Sequence, residues 1–536
     1  MGKIVLVGIC ALGLLLRVVG LSNYPAGFTP DEAAFGYNAY SLLQTGRDEW
    51  GEPWYELFFT NLRSFGDYKL PLYTFLAIPT VKIFGLNEFA TRLPNAIFGT
   101  LAIVGIYLLS KRLYPTPFPS PRLDIGLISA LLLALSPWHI QLSRGAFEAN
   151  LATFFIPLAV YLYLSHRFAR SNLFFVLSFY SYHSARILTP VILALLWWYK
   201  PIRLTTHKSS WIMLLLFIPG LWSFFGPRVA DVSILSPTDN WHSVATDRFV
   251  ARNLGLPDTV ARLFSNKATS VLSQFAHNYL IYYSPSTLFS AGPAEATYGM
   301  LPGLGPLYLI ELPLLALFLI QFVRRPTRSQ LLLILLLALA PIPAALSKSS
   351  GFAANRAAIM TPFLVLATTI GFTQIWSHKK IILFVVCVYL ISLAHFGFRY
   401  IYLAPLVNGP AMSYGWKQAI SRSLPISDRF ADVRISRVFS EPHIFLAFYS
   451  TYPPKQYQKE SGAWLDFEAK GLRFLDQLDG YYLGKFRFGD LKFSEPVTRP
   501  TLFLGPPSQF PEGYPEYFHI DYPDGKPAIK VVEKIP

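Results

Sequence analysis

The sequence predicts a polytopic α-helical membrane protein, with about eleven transmembrane helices and a small C-terminal α/β domain on the extracytoplasmic side. Three observations lead to this fold class. Hydrophobic residues make up 53% and charged residues only 14% of the 536 residues, whereas a soluble domain carries about a quarter charged residues. The apolar residues form long blocks separated by short basic clusters, as in multi-span membrane proteins. After residue 402 the charge rises, and short β-like runs appear at 444–450, 481–488, 501–505 and 529–535.

Eleven apolar stretches are long enough, or nearly so, to cross a membrane as helices. They are residues 4–22, 94–110, 125–143, 147–165, 172–184, 187–199, 210–226, 304–323, 330–347, 357–376 and 381–401. The first begins after Lys3 and is followed by no small-residue cleavage pattern, so we expect an uncleaved span. The predicted organisation is therefore a transmembrane domain at 1–401, with outer loops at 23–93 and 227–303, and a soluble extracytoplasmic domain at 402–536.

The segment 70–86 decides the orientation. It is apolar but contains Pro71, Pro79 and Lys82, and we interpret it as an amphipathic helix in the outer interface. With that choice every dense basic cluster falls on the cytoplasmic side, as the positive-inside rule requires; if the segment spans, the clusters face outward. The clusters contain Lys111, Arg112, Arg122, Arg167, Arg170, Lys200, Arg203, Lys208, Arg324, Arg325, Arg328, Lys379 and Lys380.

Composition argues against several other classes of protein. The net charge of +15 resides largely in these short loops, so it does not indicate nucleic-acid binding. Cys10 and Cys387 both lie inside apolar segments, which argues against a disulfide framework and against a thiolate zinc site. No P-loop or dinucleotide fingerprint is present, so a nucleotide donor is not indicated.

With this orientation, the ionisable residues that are candidates for catalysis or binding all lie at the outer face. They are Asp31, Glu32, Asp67, Lys69, Arg144, Glu148, His183, Arg186, His277 and Arg356. The pair Asp31-Glu32 follows Pro30. Carboxylates are favoured in the first turn of a helix, so helix-start charge is one interpretation. A general base or a metal ligand at the membrane surface is the other.

The cations at this face suit an anionic ligand. Lys69 can anchor to lipid headgroups or bind a substrate phosphate. Arg186 and Arg356 each stand near the outer start of a span, and arginine matches phosphate oxygens bidentately. We expect these three residues to form an outer-leaflet phosphate site. Arg144 and Glu148 have the i, i+4 spacing of a structural ion pair, and they are alternatively support for the substrate.

The order of six motifs resembles the membrane glycosyltransferases of the C type. The motifs are LLLRVVGL, FTPDEAAFGYNAYSLLQTG, GDYKLPLY, FGLNEFATRLPNAIFGTL, LSPWHIQLSRGAFEANL and YSPSTLFSAGPAEATYGMLPGLGPLYLIELP. The pattern is similar to the protein O-mannosyltransferase-like and aminoarabinose (lipid A) transferase-like enzymes of bacteria. The resemblance covers about residues 1–400, and the C-terminal domain adds nothing to it.

The resemblance implies transfer of a sugar from a polyprenyl-phosphate donor to a protein, glycan or lipid acceptor, by single displacement with inversion. Asp31 falls on the position of the base, with Glu32 beside it. Asp67 and Lys69 fall on the charged pair before the Pro-Leu motif. Relatives have a carboxylate directly before the lysine and a double proline after it, where this chain has Tyr68 and Leu70. The role of Asp67, one place earlier, is therefore open.

Metal dependence is open as well. The resemblance implies no certain cofactor, because some relatives bind a divalent metal ion and others do not. Glu148 falls on the acidic residue after the SR motif, and Asp67, Glu148 and His277 are the candidate ligands.

Two other functions remain as alternatives. A transporter or flippase of lipid-linked sugars also needs outer cations, but it usually shows charged or broken helices at mid-membrane and an internal repeat. A polysaccharide ligase also uses polyprenyl donors, but lacks the early Asp-Glu motif. The sequence does not identify the sugar, the acceptor or the lipid length.

Overall fold

The computed structural model describes residues 2–115, 124–201, 208–222, 233–235, 237–293, 300–348 and 351–536. The helices, in chain order, are α1 (Gly2–Val18), α2 (Pro30–Thr45), α3 (Leu57–Thr60), α4 (Leu72–Phe84), α5 (Glu88–Leu113), α6 (Ile125–Leu135), α7 (Pro137–Arg144), α8 (Leu151–Leu164), α9 (Phe168–Phe179), α10 (His183–Tyr199), α11 (Lys208–Trp222), α12 (Pro237–Asn253), α13 (Asp258–Phe264), α14 (Lys267–Ile281), α15 (Glu311–Arg324), α16 (Arg328–Leu339), α17 (Ile342–Ala345), α18 (Met360–Thr373), α19 (Lys379–Phe398), α20 (Ala404–Asn408), α21 (Trp416–Ser427), α22 (Pro442–Tyr449) and α23 (Pro454–Ser461). The strands are β1 (Leu62–Ser64), β2 (Asp67–Lys69), β3 (Asp432–Ser436), β4 (Tyr481–Leu483), β5 (Phe486–Gly489), β6 (Thr501–Gly505), β7 (Phe518–Asp521) and β8 (Pro527–Lys534).

The predicted spans all overlap helices in this mostly helical chain. By length and apolar composition, three helices of the described residues qualify to cross a membrane, at 88–113, 328–345 and 379–408, and a fourth does if the bent pair α6–α7 counts as one span. Several of the remaining apolar helices are shorter. The count of eleven spans and the interfacial placement of 70–86 therefore stay predictions. Arg122 and Arg203, which belong to the basic clusters, lie outside the described residues.

A break between α6 and α7 shapes the centre of the bundle. The two helices meet at an angle of 58°, where Pro137 lacks the N–H that would continue the first helix. The fully buried Arg17 of α1 donates to the carbonyls of Leu133 and Ala134, at 3.2 and 3.1 Å. It also donates to Nδ1 of His139 at 2.8 Å. Arg17 therefore bonds to carbonyls at the C-terminal end of α6, the end of a helix that lacks intrahelical partners.

The C-terminal region, which we define as residues 402–536, contains a six-stranded mixed sheet of order β4-β5-β3-β6-β8-β7. The central strand β3 is parallel to β5 and β6, and the outer pairs are antiparallel. The predicted strand at 444–450 is wrong, because these residues belong to helix α22. A continuous apolar run is compatible with a buried helix as well as a buried strand, and Pro442 at the first position favours a helix start.

Two further details correct the predicted strands. The run 481–488 forms two antiparallel strands, β4 and β5, that turn at Gly484, whose φ is +56°. The strands β3 and β7 were not predicted at all. The runs at 501–505 and 529–535 do lie in strands, β6 and β8.

The C-terminal region packs onto residues 23–93, the first of the predicted outer loops. The Tyr37 hydroxyl of α2 donates to the carbonyl of Tyr452 at 2.9 Å, and the Phe28 N–H donates to the carbonyl of Met412 at 2.7 Å. One buried apolar cluster contains side chains from both parts, including Phe28, Tyr37 and Phe448. The loop that carries the predicted site residues is therefore enclosed between the helices and the C-terminal region.

Candidate active site at the start of helix α2

The start of α2 is built by its own sequence. Thr29 is the N-cap: its hydroxyl accepts the N–H of Glu32, and the Glu32 side chain accepts the Thr29 N–H, which completes a capping box. Pro30 occupies the first helical turn, where its missing N–H costs nothing. This geometry fixes the direction of the two consecutive carboxylates, Asp31 and Glu32, and sends them to different surroundings.

Glu32 points into the protein. Its side chain and that of Arg92 are both 0% exposed, and the Arg92 Nε lies 2.8 Å from Oε1. The Ala146 N–H donates to the same oxygen at 2.9 Å. Arg92 also donates to the carbonyls of Leu21, Pro25 and Gly27. Glu32 thus joins α2, α5 and the loop after α7, and it presents no surface to a substrate. These contacts favour a structural role for Glu32, and its predicted share in catalysis stays a prediction.

Asp31 points to the opposite side and meets Lys69. The Lys69 Nζ lies 3.0 Å from Asp31 Oδ1 and 3.2 Å from Asp67 Oδ2. The lysine side chain is 3% exposed, whereas Asp31 is 38% and Asp67 is 22% exposed. Three predicted site residues therefore form one cluster, in which a buried cation is shared by two carboxylates that water can reach.

The short hairpin β1–β2 presents this lysine. Its strands pair in antiparallel register, with Leu62 opposite Lys69 and Ser64 opposite Asp67. Ser64 also donates a short hydrogen bond to Glu49, a carboxyl that is fully buried. Burial raises the pKa of Glu49 to about 8, although the Ser64 hydrogen bond and the Lys69 charge oppose the rise. Glu49 was not predicted, because nothing in its local sequence distinguishes it from the surrounding loop.

Helix α10 meets the same hairpin. A ring nitrogen of His183, Nε2, lies 2.9 Å from the carbonyl oxygen of Tyr68, the residue between Asp67 and Lys69. Arg186 stands three residues further along α10, is 2% exposed, and donates to Asn61 Oδ1 at 3.5 Å. Its guanidinium also lies over the rings of Phe179 and Tyr180. The structure thus brings Arg186 to the residue that precedes the hairpin.

Arg356 approaches by a different route. Its Nη1 donates to Ser347 Oγ at 2.7 Å. The neighbouring Asn355 donates to the Tyr182 hydroxyl at 3.3 Å, and Tyr182 precedes the His183 that contacts the hairpin. Tyr182, Asn355 and Asn61 are polar residues that the sequence did not single out. The residues next to them in the sequence give no indication of a role, because their partners lie more than a hundred residues away in the chain.

For Arg144 the sequence left two roles open, a structural ion pair with Glu148 and support for the substrate. In the structure its guanidinium bonds to backbone carbonyls. Arg144 is 5% exposed and donates to the carbonyls of Leu16, Val19 and Tyr24, which end and follow α1. Glu148 is half-buried and begins a single 3-10 turn before α8. Arg144 therefore anchors the chain that leads from α1 towards α2.

The candidate metal ligands do not form a group. Asp67 pairs with Lys69, and His277 is exposed on α14. Within the described residues, no three His, Cys, Asp or Glu side chains stand together so that they could hold a metal ion. The arrangement of Asp67, Glu148 and His277 therefore does not fit a metal centre.

An apolar groove of about 550 Å³ lies between α10, α14 and α16. Its lining residues are Val191, Leu195, Phe275, Tyr279, Leu335, Ala338, Leu339 and Ile342. Val191 follows Arg186 by five residues on α10, about 7.5 Å at the rise of an α-helix. The groove is therefore lined by apolar side chains, and its residue Val191 lies about one and a half turns beyond the buried Arg186 on α10.

Comparison with known proteins agrees with this architecture. Residues 69–223 match the sequence model of the dolichyl-phosphate-mannose-protein mannosyltransferase family. ArnT from Cupriavidus metallidurans, solved with bound undecaprenyl phosphate, aligns with a TM-score of 0.52 and 12% identity over 98% of this chain and 97% of that chain. Its apo structure aligns with a TM-score of 0.51 and 10% identity over the same shares.

Two other matches are partial. The archaeal oligosaccharyltransferase AglB from Archaeoglobus fulgidus, solved with an inhibitory peptide and a dolichol-phosphate, aligns with a TM-score of 0.46 and 15% identity over 83% of this chain and 63% of that chain. An uncharacterized protein of Aquifex aeolicus (strain VF5) is 30% identical over 169 residues, which are 31% of this chain and 30% of that protein. The chain thus matches less than a third of the length of this curated relative.

The resemblance to the C-type membrane glycosyltransferases, first drawn from six motifs, is confirmed by the family match at 69–223 and by the fold shared with ArnT.

Proposed function

We propose that this chain is an inverting glycosyltransferase, which moves a sugar from a polyprenyl-phosphate donor to an acceptor at the outer face of a membrane. The observation that carries the proposal is the Lys69 cluster. A buried ammonium within 3.2 Å of Asp31 and Asp67 supplies a cation for the donor phosphate and a carboxylate for the acceptor proton in one place.

The proposed reaction is a single displacement. The acceptor hydroxyl or amine attacks the anomeric carbon, and its bond to that carbon forms as the bond from the carbon to the phosphate oxygen breaks. The electron pair leaves with the polyprenyl phosphate, and Asp31 takes the proton of the acceptor. Asp31 suits this role because 38% of its side chain is exposed, so a soluble or membrane-bound acceptor can reach it.

Lys69 couples the two halves of the reaction. A donor phosphate competes with Asp31 for the lysine ammonium, because both are anions that accept charge-assisted hydrogen bonds. When the phosphate takes the ammonium, the Asp31 carboxylate is released from its ion pair and can bond to the acceptor instead. The base is thereby activated only when a donor is present.

The remaining cations continue the phosphate site towards the membrane. Arg186 contacts Asn61, next to the hairpin. Arg356 follows Asn355, which bonds to Tyr182, the neighbour of the hairpin contact His183. We propose that both arginines and Lys69 share the phosphate charge. The apolar groove below Arg186 then receives the polyprenyl chain, whose methyl-branched hydrocarbon matches its aliphatic and aromatic lining.

The ends of the helices support the proposed orientation. Arg112, at the end of α5, donates to the carbonyl of Leu164, at the end of α8. Ser329, beside Arg328, donates to the carbonyl of Leu113. Several basic clusters thus meet at the end of α5 that lies opposite its start at Glu88, near α2. By the positive-inside rule this end is cytoplasmic, and Lys69 is extracytoplasmic.

Transfer from a labelled polyprenyl-phosphate sugar, measured with purified protein in detergent, tests the activity. We expect the labelled sugar to appear on an envelope acceptor, and the anomeric configuration of the product to be opposite to that of the donor. Movement of the labelled lipid across liposomes without any transfer would instead establish the flippase alternative.

Cysteine labelling tests the orientation separately. In a background with Cys10 and Cys387 replaced by serine, an impermeant thiol reagent added to intact cells should label Lys459→Cys and not Arg325→Cys. Both positions are exposed, so a missing signal reflects the membrane rather than burial. The opposite labelling pattern would place the Lys69 cluster on the cytoplasmic side.

A further inference from the structure

The turn of the β1–β2 hairpin has an unexpected sequence. Its two central residues, Phe65 and Gly66, both have positive φ, of +43° and +94°. Two-residue turns of this kind prefer Asn-Gly or Gly-Gly, because a bulky side chain is strained in the left-handed region. A phenylalanine at the first position therefore indicates that its side chain is needed there.

The Phe65 ring lies against the cation of the candidate active site. Its centroid is 4.2 Å from the Lys69 Nζ, which is well inside the range of a cation–π contact. The ring is 5% exposed and the lysine side chain 3% exposed. An ammonium so poorly hydrated needs compensating groups, and the Phe65 ring accompanies the two carboxylates in that role.

The C-terminal region holds this ring in place. The edge of His443, a fully buried side chain of α22, packs against Phe65 with ring centroids 6.4 Å apart. The Leu475 N–H donates to the Phe65 carbonyl at 3.2 Å. A methyl group on Gly66 would collide with the carbonyl oxygen of Arg473, so the turn fits closely against the C-terminal region.

We propose that Phe65 is a positioning residue for Lys69, and that the C-terminal region takes part in donor recognition by pressing this ring against the lysine ammonium. The inference rests on the proposed function, in which Lys69 binds the donor phosphate, and it assigns the C-terminal region a role in that same site.

A neutral ring suits this role better than a third carboxylate. The cluster already holds two acidic side chains beside one lysine, and a further anion would repel the incoming phosphate. The π face stabilises the ammonium through the quadrupole of the ring and adds no net charge. The ring therefore holds the Lys69 ammonium in place while its attraction for phosphate is kept.

Stepwise fluorination of Phe65 tests the contact. 4-Fluoro-, 3,5-difluoro- and 3,4,5-trifluorophenylalanine, incorporated at position 65, weaken the negative face of the ring with little change in its size. We expect the KM for a polyprenyl-phosphate sugar, and the Kd for undecaprenyl phosphate, to rise with each fluorine, by about 5- to 30-fold in total if the cation–π contact is lost. Phe65→Trp should retain affinity better than Phe65→Leu.

The same series at Phe445 is the matched control. Phe445 is equally buried and stacks on Trp416 with centroids 5.4 Å apart, within the C-terminal region. Fluorination there should leave KM and Kd unchanged. If the two series give the same flat response in folded protein that binds undecaprenyl phosphate, Phe65 does not position Lys69. If the unmodified protein neither binds undecaprenyl phosphate nor transfers sugar, the proposed function itself is wrong, and the role assigned to Phe65 is rejected with it.

Discussion

The two consecutive carboxylates at the start of α2 form ion pairs in opposite surroundings. Glu32 and Arg92 are both 0% exposed, and backbone groups share in their bonding. Asp31, one residue earlier, is 38% exposed and shares its cation, Lys69, with Asp67. The enclosed pair has no room for a ligand, whereas the open cluster can exchange one partner for another. This difference supports the proposal that Asp31, rather than Glu32, takes part in the chemistry.

The difference also explains why both carboxylates occur together. The Glu32 pair fixes the first turn of α2 against α5 and the loop at Ala146, so the direction of the Asp31 side chain is set by its neighbour. A rigid base needs such support, because small displacements from the productive geometry reduce the rate strongly. Replacing each carboxylate by its own amide should separate these two roles.

Asp31→Asn should have the largest effect on turnover. Thr29 remains the N-cap, and the amide loses only the interaction of the carboxylate with the helix dipole, about 0.3–1 kcal/mol, so the fold should be retained. The amide accepts no proton at neutral pH, and loss of a general base typically costs about 10²–10⁴-fold in rate. Transfer kinetics and a thermal unfolding curve in detergent measure the two properties. Near-normal turnover in a folded protein would eliminate Asp31 as the base and direct attention to Asp67.

Glu32→Gln should show the reverse pattern, with stability as the primary loss. The glutamine leaves the buried Arg92 guanidinium without its counter-charge, and breaking a buried pair in this way costs about 3–5 kcal/mol. We expect a markedly lower midpoint of thermal unfolding and poor yield. The fraction that folds should still turn over, because Glu32 touches no substrate in the proposed site. A stable but inactive Glu32→Gln protein would return Glu32 to the catalytic set.

Lys69→Gln should weaken donor binding by a smaller amount. A lost charge-assisted hydrogen bond is worth about 1.5–3 kcal/mol, which corresponds to roughly 10- to 150-fold in the Kd for undecaprenyl phosphate. Lys82→Gln is the control, since Lys82 is an exposed lysine on the neighbouring helix α4. If both variants bind undecaprenyl phosphate as the unmodified protein does, the phosphate site lies elsewhere.

Much of the architecture follows from patterns that are local in sequence. Apolar blocks predicted where helices lie, and the Thr29-Pro30-Asp31-Glu32 sequence predicted a helix start that the capping box bears out. The strand predicted at 444–450 was wrong because a short apolar run has no period that distinguishes a buried helix from a buried strand. The break before Pro137 was missed, although proline within an apolar stretch is a usable signal for it.

The partners of buried charges were harder to predict. Arg92 was not singled out, and it pairs with a carboxylate 60 residues earlier in the chain. Arg17 bonds to carbonyls more than 100 residues away. Such contacts depend on how helices pack, and no spacing rule encodes them. The predicted topology placed Asp31, Asp67 and Lys69 on the same outer face, but the contacts that join them were not predicted.

The smallest predicted effect is on the pH dependence of stability, and it comes from Glu49, the buried carboxyl that bonds to Ser64 of the hairpin. Burial raises the pKa of Glu49 to about 8, against about 4.3 in an unfolded chain. Between these values the folded protein holds a proton that the unfolded chain has lost, so stability falls as pH rises and levels off above pH 8.

Burial lowers the pKa of His443 to about 3, and this group costs stability only below about pH 6.5, where the unfolded histidine gains a proton. Raising the pH from about 6.5 to about 8.5 therefore leaves the buried carboxyls, whose pKa values are raised at Asp48 and Glu441 as well; the part that Glu49 contributes is expected to be about 2 kcal/mol. In thermal unfolding curves, Glu49→Gln should reduce the drop in Tm over this interval, whereas the exposed control Glu512→Gln should leave it unchanged. An equal drop in all three proteins would show that Glu49 ionises normally in the folded state and that the hairpin lies in a wetter environment than its burial implies.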